Sequence, residues 1–184
     1  MIDIRTTEME DPAYWYGSKL AANKDWRRQL TDEEAGELLS AVSANRGRDN
    51  IEVSIADFPL PRLSPVLRGL AAHVDRGLGL ALIEGVPVHE MDEDEAAMAL
   101  WGMGQHVGRP QIQDAAKSLL HHVRDKRDGG WEENPHRRVY ETNSEQVFHT
   151  DGGDMVMLLC RRAAKSGGTS RMVSAVTLFN EIIK

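Results

Sequence analysis

Hydrophobic positions along the chain fall into alternating helical and extended rhythms. Residues 31–47 open with Thr31-Asp32-Glu33-Glu34, carry Leu38, Leu39 and Val42 at helical spacing, and close at Asn45 to Gly47. Thr31 or Asp32 therefore caps a helix whose first-turn acids suit the positive end of its dipole. The alternation in IEVSIADF (51–58) predicts a strand or an extended linker, stopped by Pro59 and Pro61. Ser64-Pro65 starts a second helix, with Ser64 as cap and Pro65 in the first position. Val66, Leu67, Leu70, Ala71 and Val74 form its stripe, His73 and Asp75 fall on its solvated side, and Gly77 and Gly79 stop it. LALIEGVPV (80–88) is a short apolar run bounded by Gly and Pro, consistent with a buried strand. Asp92-Glu93-Asp94-Glu95 opens a third helix lined by Met98, Leu100, Trp101 and Met103, and Gly108-Arg109-Pro110 breaks it. His106, near the end of that helix, suits the negative end of the dipole and is read as structural.

The remaining pattern is mostly extended. KSLLHHVRD (117–125) predicts a strand with His121 and His122 on opposite faces. One of them could face a cavity, but cross-strand packing is the preferred reading. MVMLLC (155–160) predicts a further strand in which Cys160 is a small buried hydrophobe. Ser166 to Ser170 is a tight turn with glycines at positive φ, and SAVTLFNEIIK (174–184) is a last helix. Residues 125–138 are Gly-rich, charged and unpatterned, hence a loop. The aromatics Tyr14, Trp15, Tyr16 and Trp26 belong to an arm or short helix packed on the main domain. The expected division is an arm over residues 1–62 and the main domain over 63–184.

Composition narrows the class. The 184 residues suffice for one domain with a real core, and 41% hydrophobic with 28% charged residues is a globular balance. A net charge of −7 argues against a general nucleic-acid surface, and an aromatic platform for single strands would need basic interleaving that the acidic opening lacks. One cysteine permits no intrachain disulfide, the N-terminus lacks an apolar leader, and no run reaches the ~18 apolar residues of a membrane span. The expectation is a cytoplasmic protein.

The stretch with chemistry in it is Val147-Phe148-His149-Thr150-Asp151-Gly152-Gly153-Asp154. On an extended backbone, residues two apart share a face, so the His149 imidazole and the Asp151 carboxylate can reach one ion. Joined by a second His, such a pair forms the facial set that leaves three iron positions open. Asp154, across two glycines, belongs to the turn, and a calcium loop would need more oxygen ligands than this stretch supplies.

Together with LALIEGVPV, ALWGMGQHVGRPQIQ (99–113), LLHHVRD, VYETN (139–143), MVMLLC and RRAAKSGGTSRMVSAVTLFNEI, this stretch resembles the iron(II)/2-oxoglutarate dioxygenases of the taurine dioxygenase and clavaminate synthase-like superfamily. The likeness runs in the family's order from about residue 60 onward. It implies an α+β fold with a mainly β core, the double-stranded β-helix or jelly roll, incomplete at the C-terminus and preceded by helices. It implies iron(II), 2-oxoglutarate as co-substrate and O2. The metal ligands would be His149 and Asp151, and the 2-oxoglutarate carboxylate would be held by Ser170, with Thr169 beside it. Some relatives carry Asp-Thr after the glycines where this chain has Thr-Ser, so Thr169 is the alternative to Ser170 for that role. The implied reaction hydroxylates a small-molecule substrate and releases succinate and CO2. In the family, loops near residues 125–138 cover the substrate, which makes Trp131 and His136 candidate substrate contacts. The family's second His ligand and its 2-oxoglutarate arginine lie well downstream of Gly-Gly, so an N-terminal portion of a longer enzyme is expected, possible as a homo-oligomer, with no nucleic-acid or membrane partner. The rival readings are a truncated or degenerate non-catalytic homologue that binds a partner, and a cupin-type metal isomerase or hydrolase.

Overall fold

The computed structural model describes residues 5–126 and 138–184, which group into two compact units: Met1–Arg109 with Met157–Lys184, and Pro110–Val156. The first unit is helix-rich. In chain order it comprises α1 (Gly17–Ala22), β1 (Arg27–Gln29), α2 (Asp32–Ala44), α3 (Leu63–Arg76), β2 (Leu82–Glu84), α4 (Glu93–Val107) and α5 (Ala175–Ile182). Strands β1 and β2 pair in parallel, Arg27 opposite Leu82 and Gln29 opposite Glu84. Parallel pairing needs a long crossover, and α2 and α3 supply it. Among the described residues this two-stranded ladder is the whole of the sheet.

Two of the three main helices start as their sequences predict. Thr31 accepts from the Glu34 amide while the Glu34 carboxylate accepts from the Thr31 amide, and Asp92 and Glu95 repeat this reciprocal box at α4. The third start differs. Ser64 does not cap α3; the Glu37 carboxylate of α2 accepts from the Arg62 and Leu63 amides at 3.0 and 2.8 Å. A carboxylate from a packed neighbour thus satisfies the orphan donors, which leaves Ser64 free to turn inward, where it is buried.

Helices α2, α3 and α4 pack on one another around Leu38, Val42, Leu63, Leu67, Met98 and Met103. Phe58, fully buried, fills the centre from the connection between α2 and α3. Its ring lies so close to Gly102 that a Cβ there would sit 2.3 Å from the ring. Residues 51–58 form no strand. They form a 3₁₀ turn over Asn50–Glu52 and then a tight turn. Their polar groups are claimed elsewhere. Asp49 and Asp57 accept from the Ile51 and Ser54 amides. The Val53 carbonyl accepts from Trp101 Nε1 and Gln105 Nε2, and the Phe58 carbonyl from His106 Nε2 at 2.9 Å. Local and side-chain partners outcompete a ladder here.

His106 is structural, through hydrogen bonds more than through the helix dipole. A carbonyl only accepts, so Nε2 carries the proton and Nδ1 accepts from the Ser64 hydroxyl at 2.9 Å. His73 is half-buried, with an enclosed Nε2, and not on an open face as its spacing predicts. The 80–88 run yields only the three residues of β2, with Leu82 exposed, because β1 covers one edge and three positions.

The arm does pack on the unit. Asn180 of α5, fully buried, accepts from the Met9 amide and donates to the Met9 carbonyl at 2.8 and 2.9 Å. Thr177 bonds both polar groups of the Trp15 backbone, Ser174 donates to the Ala13 carbonyl, and the Trp15 indole donates to the Leu78 carbonyl. Residues 155–160 keep the burial alternation of a strand, Met157 and Leu159 half-buried and Leu158 and Cys160 exposed, yet have no ladder partner among the described residues. Cys160 is thus exposed, not buried, because the period of two turns it outward.

Two glycines of α4 respond oppositely to alanine. Gly102→Ala forces the Phe58 ring aside and costs about 1–3 kcal/mol, whereas a Cβ at Gly104 meets nothing within 4 Å and gains up to about 1 kcal/mol of helix propensity. Urea unfolding of the two variants reads the difference in sign.

Candidate metal centre

His149 and Asp151 lie in the second unit on irregular backbone bent at Phe148. The His149 Nδ1 is 2.8 Å from the Val147 carbonyl, so it carries the proton and Nε2 keeps its lone pair. The Gln146 amide nitrogen, 3.2 Å away, donates to that lone pair. Nε2 also lies 3.7 Å from Asp151 Oδ1. Imidazole nitrogen and carboxylate oxygen thus face one space, at less than twice a ~2.1 Å ligand distance. A metal-ligating imidazole commonly donates its other N–H to a carbonyl, which fixes tautomer and orientation, and Val147 is placed for that. Both side chains are about half exposed, so an ion would meet them directly. The donor set fits a divalent cation that accepts one imidazole and one carboxylate. Among the described residues no group of three His, Cys, Asp or Glu side chains gathers, so these two would need a ligand from elsewhere. Asp154 is exposed in the bend over 152–154 that follows Asp151.

Thr169 and Ser170 belong to the first unit. Both are exposed and follow Gly167 and Gly168, whose φ of 72° and 69° are the positive values that the glycine pair predicts, just after a bend at Lys165 and Ser166. Trp131 and His136 lie outside the described residues.

A cluster that the sequence did not disclose surrounds His121. Residues 117–125 form no strand among the described residues, because the chain turns back at Lys117, φ 63°, and Gln113 bonds Ser118 locally. His121 Nε2 comes within 3.4 Å of Asp114 Oδ2, and its Nδ1 within 3.3 Å of the Tyr140 hydroxyl, with the two rings tilted at a 5.4 Å separation. The Ser118 backbone amide, 2.9 Å from Asp114 Oδ1, is the chief cause that holds the Asp114 carboxyl below the usual range, and His121 is a lesser one. The one available signal was Asp114 four residues before Ser118, a spacing that turns share with many surface segments.

Residues 42–183 match the family described as Taurine catabolism dioxygenase TauD, TfdA family, and the chain belongs to it. FR-33289 synthase of Streptomyces rubellomurinus is 24% identical over the whole of this chain and 55% of its own length. Taurine hydroxylase-like protein SAT17 of Stachybotrys chartarum is 23% identical over 96% of this chain and 48% of its own. The chain therefore spans about half the length of these curated relatives.

A depressed carboxyl contributes stability above its unfolded pKa that is lost as pH falls through the lower folded one. Ser118→Pro, which removes the amide donor, raises the Asp114 titration midpoint more than His121→Gln does, as carboxyl NMR titration of the two variants will read.

Proposed function

We propose that the whole protein to which these residues belong is an iron(II)- and 2-oxoglutarate-dependent oxygenase that hydroxylates a small-molecule substrate. The observation that carries this reading is the family match across residues 42–183, whose span includes a His149 imidazole and an Asp151 carboxylate 3.7 Å apart. The name of one relative, a taurine hydroxylase-like protein, agrees with hydroxylation at carbon. The fold in this reading is the double-stranded β-helix, in which residues 155–160 serve as a strand.

Bound iron with 2-oxoglutarate and O2 supplies oxidative decarboxylation to succinate and CO2, coupled to oxygen insertion at a C–H bond. The chain's own residues then have defined tasks. His149 Nε2 and Asp151 Oδ1 would hold the ion. Val147 keeps the imidazole proton on Nδ1, away from the metal. Gln146, whose amide now donates to Nε2, would have to release that nitrogen for it to serve as a ligand. Ser170, with Thr169 next to it, donates a hydrogen bond to the co-substrate carboxylate. The third protein ligand and the arginine for the distal carboxylate come from other parts of the whole protein. With a net charge of −7 and no helix among the described residues long and apolar enough to cross a membrane, a small molecule in the cytoplasm suits the chain better than nucleic acid or lipid.

The test is succinate release by the whole protein with iron(II), ascorbate and 2-oxoglutarate. His149→Ala and Asp151→Ala each remove a direct ligand, where even loss of a supporting contact costs about 10–100-fold, so each abolishes turnover. Wild-type turnover in both variants would overturn the assignment. Ser170→Ala loses a hydrogen bond to a charged group worth about 1.5–3 kcal/mol and raises the KM for 2-oxoglutarate roughly tenfold to a hundredfold. An unchanged KM moves that role to Thr169 or removes it from the turn.

A further inference from the structure

Beside the start of α3 the first unit carries a groove that the oxygenase reading leaves unused. It measures about 380 Å³ and is lined chiefly by Pro59, Pro61, Ser64, Pro65, Arg68 and His106. Two of these side chains are polar and more than nine-tenths buried, Ser64 at 6% and His106 at 9% exposure. Both are already spent. The Ser64 hydroxyl donates to His106 Nδ1, and His106 Nε2 donates to the Phe58 carbonyl, so neither has a proton to offer. The three prolines have no backbone N–H at all. Of the side-chain donors around the groove, only the exposed Arg68 guanidinium has N–H groups to spare.

That guanidinium is held in place. Its Nη1 donates to the Ser64 hydroxyl oxygen, so Arg68, Ser64, His106 and the Phe58 carbonyl form one hydrogen-bonded chain whose directions are all fixed. The Nε–Nη2 edge is left over, and Arg68 has no carboxylate partner among the described residues. Such an edge is the fork that takes both oxygens of a carboxylate. The prolines beside it form a rigid apolar wall, and proline packs well against aromatic rings, as the aromatic grooves that take proline-rich chains show. The volume falls near the low end of the ~300–1,000 Å³ of small-molecule sites, which suits one ring with a short acid arm. We propose that this groove binds a small aromatic carboxylate, its acid on Arg68 and its ring against Pro59, Pro61 and Pro65. A phosphate has more oxygens than one guanidinium edge satisfies, and the amides of a peptide find no partners on a proline wall. The groove lies wholly in the first unit, whereas His149 and Asp151 belong to the second, so the proposal does not rest on the oxygenase reading.

The test is a titration of the whole protein with phenylacetate, read by saturation transfer from the protein to the ring protons. Phenylacetate binds saturably, with an expected Kd of about a millimolar or tighter. Phenylacetamide lacks the charge and Arg68→Gln lacks the fork, and each weakens binding about tenfold to a hundredfold. Acetate, without the ring, displaces phenylacetate only at concentrations at least about tenfold higher than its own. Arg62→Gln, the same charge change at an exposed position outside the lining, leaves the Kd unaltered. Amide exchange of the unsubstituted protein locates the ligand without any variant, and phenylacetate slows exchange over residues 60–68. Equal binding of phenylacetate and phenylacetamide, or of wild type and Arg68→Gln, overturns the proposal. Unaltered exchange over residues 60–68 overturns it too. No arm of the test depends on turnover, so the groove and the oxygenase reading can fail separately.

Discussion

Leaving a buried polar nitrogen unpaired is costly, and at His106, in the first unit, both ring nitrogens are paired. Its two ring nitrogens reach the Phe58 carbonyl and the Ser64 hydroxyl, and with Trp101 and Gln105 on the Val53 carbonyl they bind the α2–α3 connection to α4. Phe58 is thereby held over Gly102, where no side chain fits beneath its ring. A lost hydrogen bond at such a site leaves a desolvated polar group behind, and that penalty exceeds the net value of the bond. Packing of the three helices and the course of residues 51–58 are consequences of the same pairing.

The helices were legible because their signals are local. Thr31 with Glu34 and Asp92 with Glu95 are capping boxes written within four residues, and the apolar spacing that follows each is unambiguous. The start of α3 was misread because its cap comes from Glu37, 25 residues earlier, and proximity in space leaves no mark in a local pattern. The strand expectations at 51–58 and 117–125 failed for a related reason. Alternation reports a backbone able to pair, and whether it does so depends on what else bids for its amides and carbonyls. At 155–160 the alternation of exposure is present without a ladder partner among the described residues, and that alternation also explains why Cys160 faces water.

Of the candidate centre, the nearness of His149 to Asp151 was legible from their spacing of two, although the backbone there is irregular and not the extended one expected. The tautomer was not, because it depends on the Val147 carbonyl and the Gln146 amide, whose positions follow from the bend at Phe148. The Gly167–Gly168 turn was legible from composition, as two successive positive φ values suit glycine. The Asp114–His121–Tyr140 cluster was not, since a turn at Lys117, a residue that rarely adopts positive φ, builds it.

The bonds between Asn180 and Met9 join positions 171 residues apart. On the ribosome, at roughly 5–20 residues per second, the arm emerges about 10–35 s before its partner exists. During that interval the Trp15 side chain and the arm's amides have only water, the ribosome or chaperones to meet. Closure of the first unit therefore waits on residues made long after the arm, and the segment around Met9 and Trp15 is held only once α5 has been synthesised.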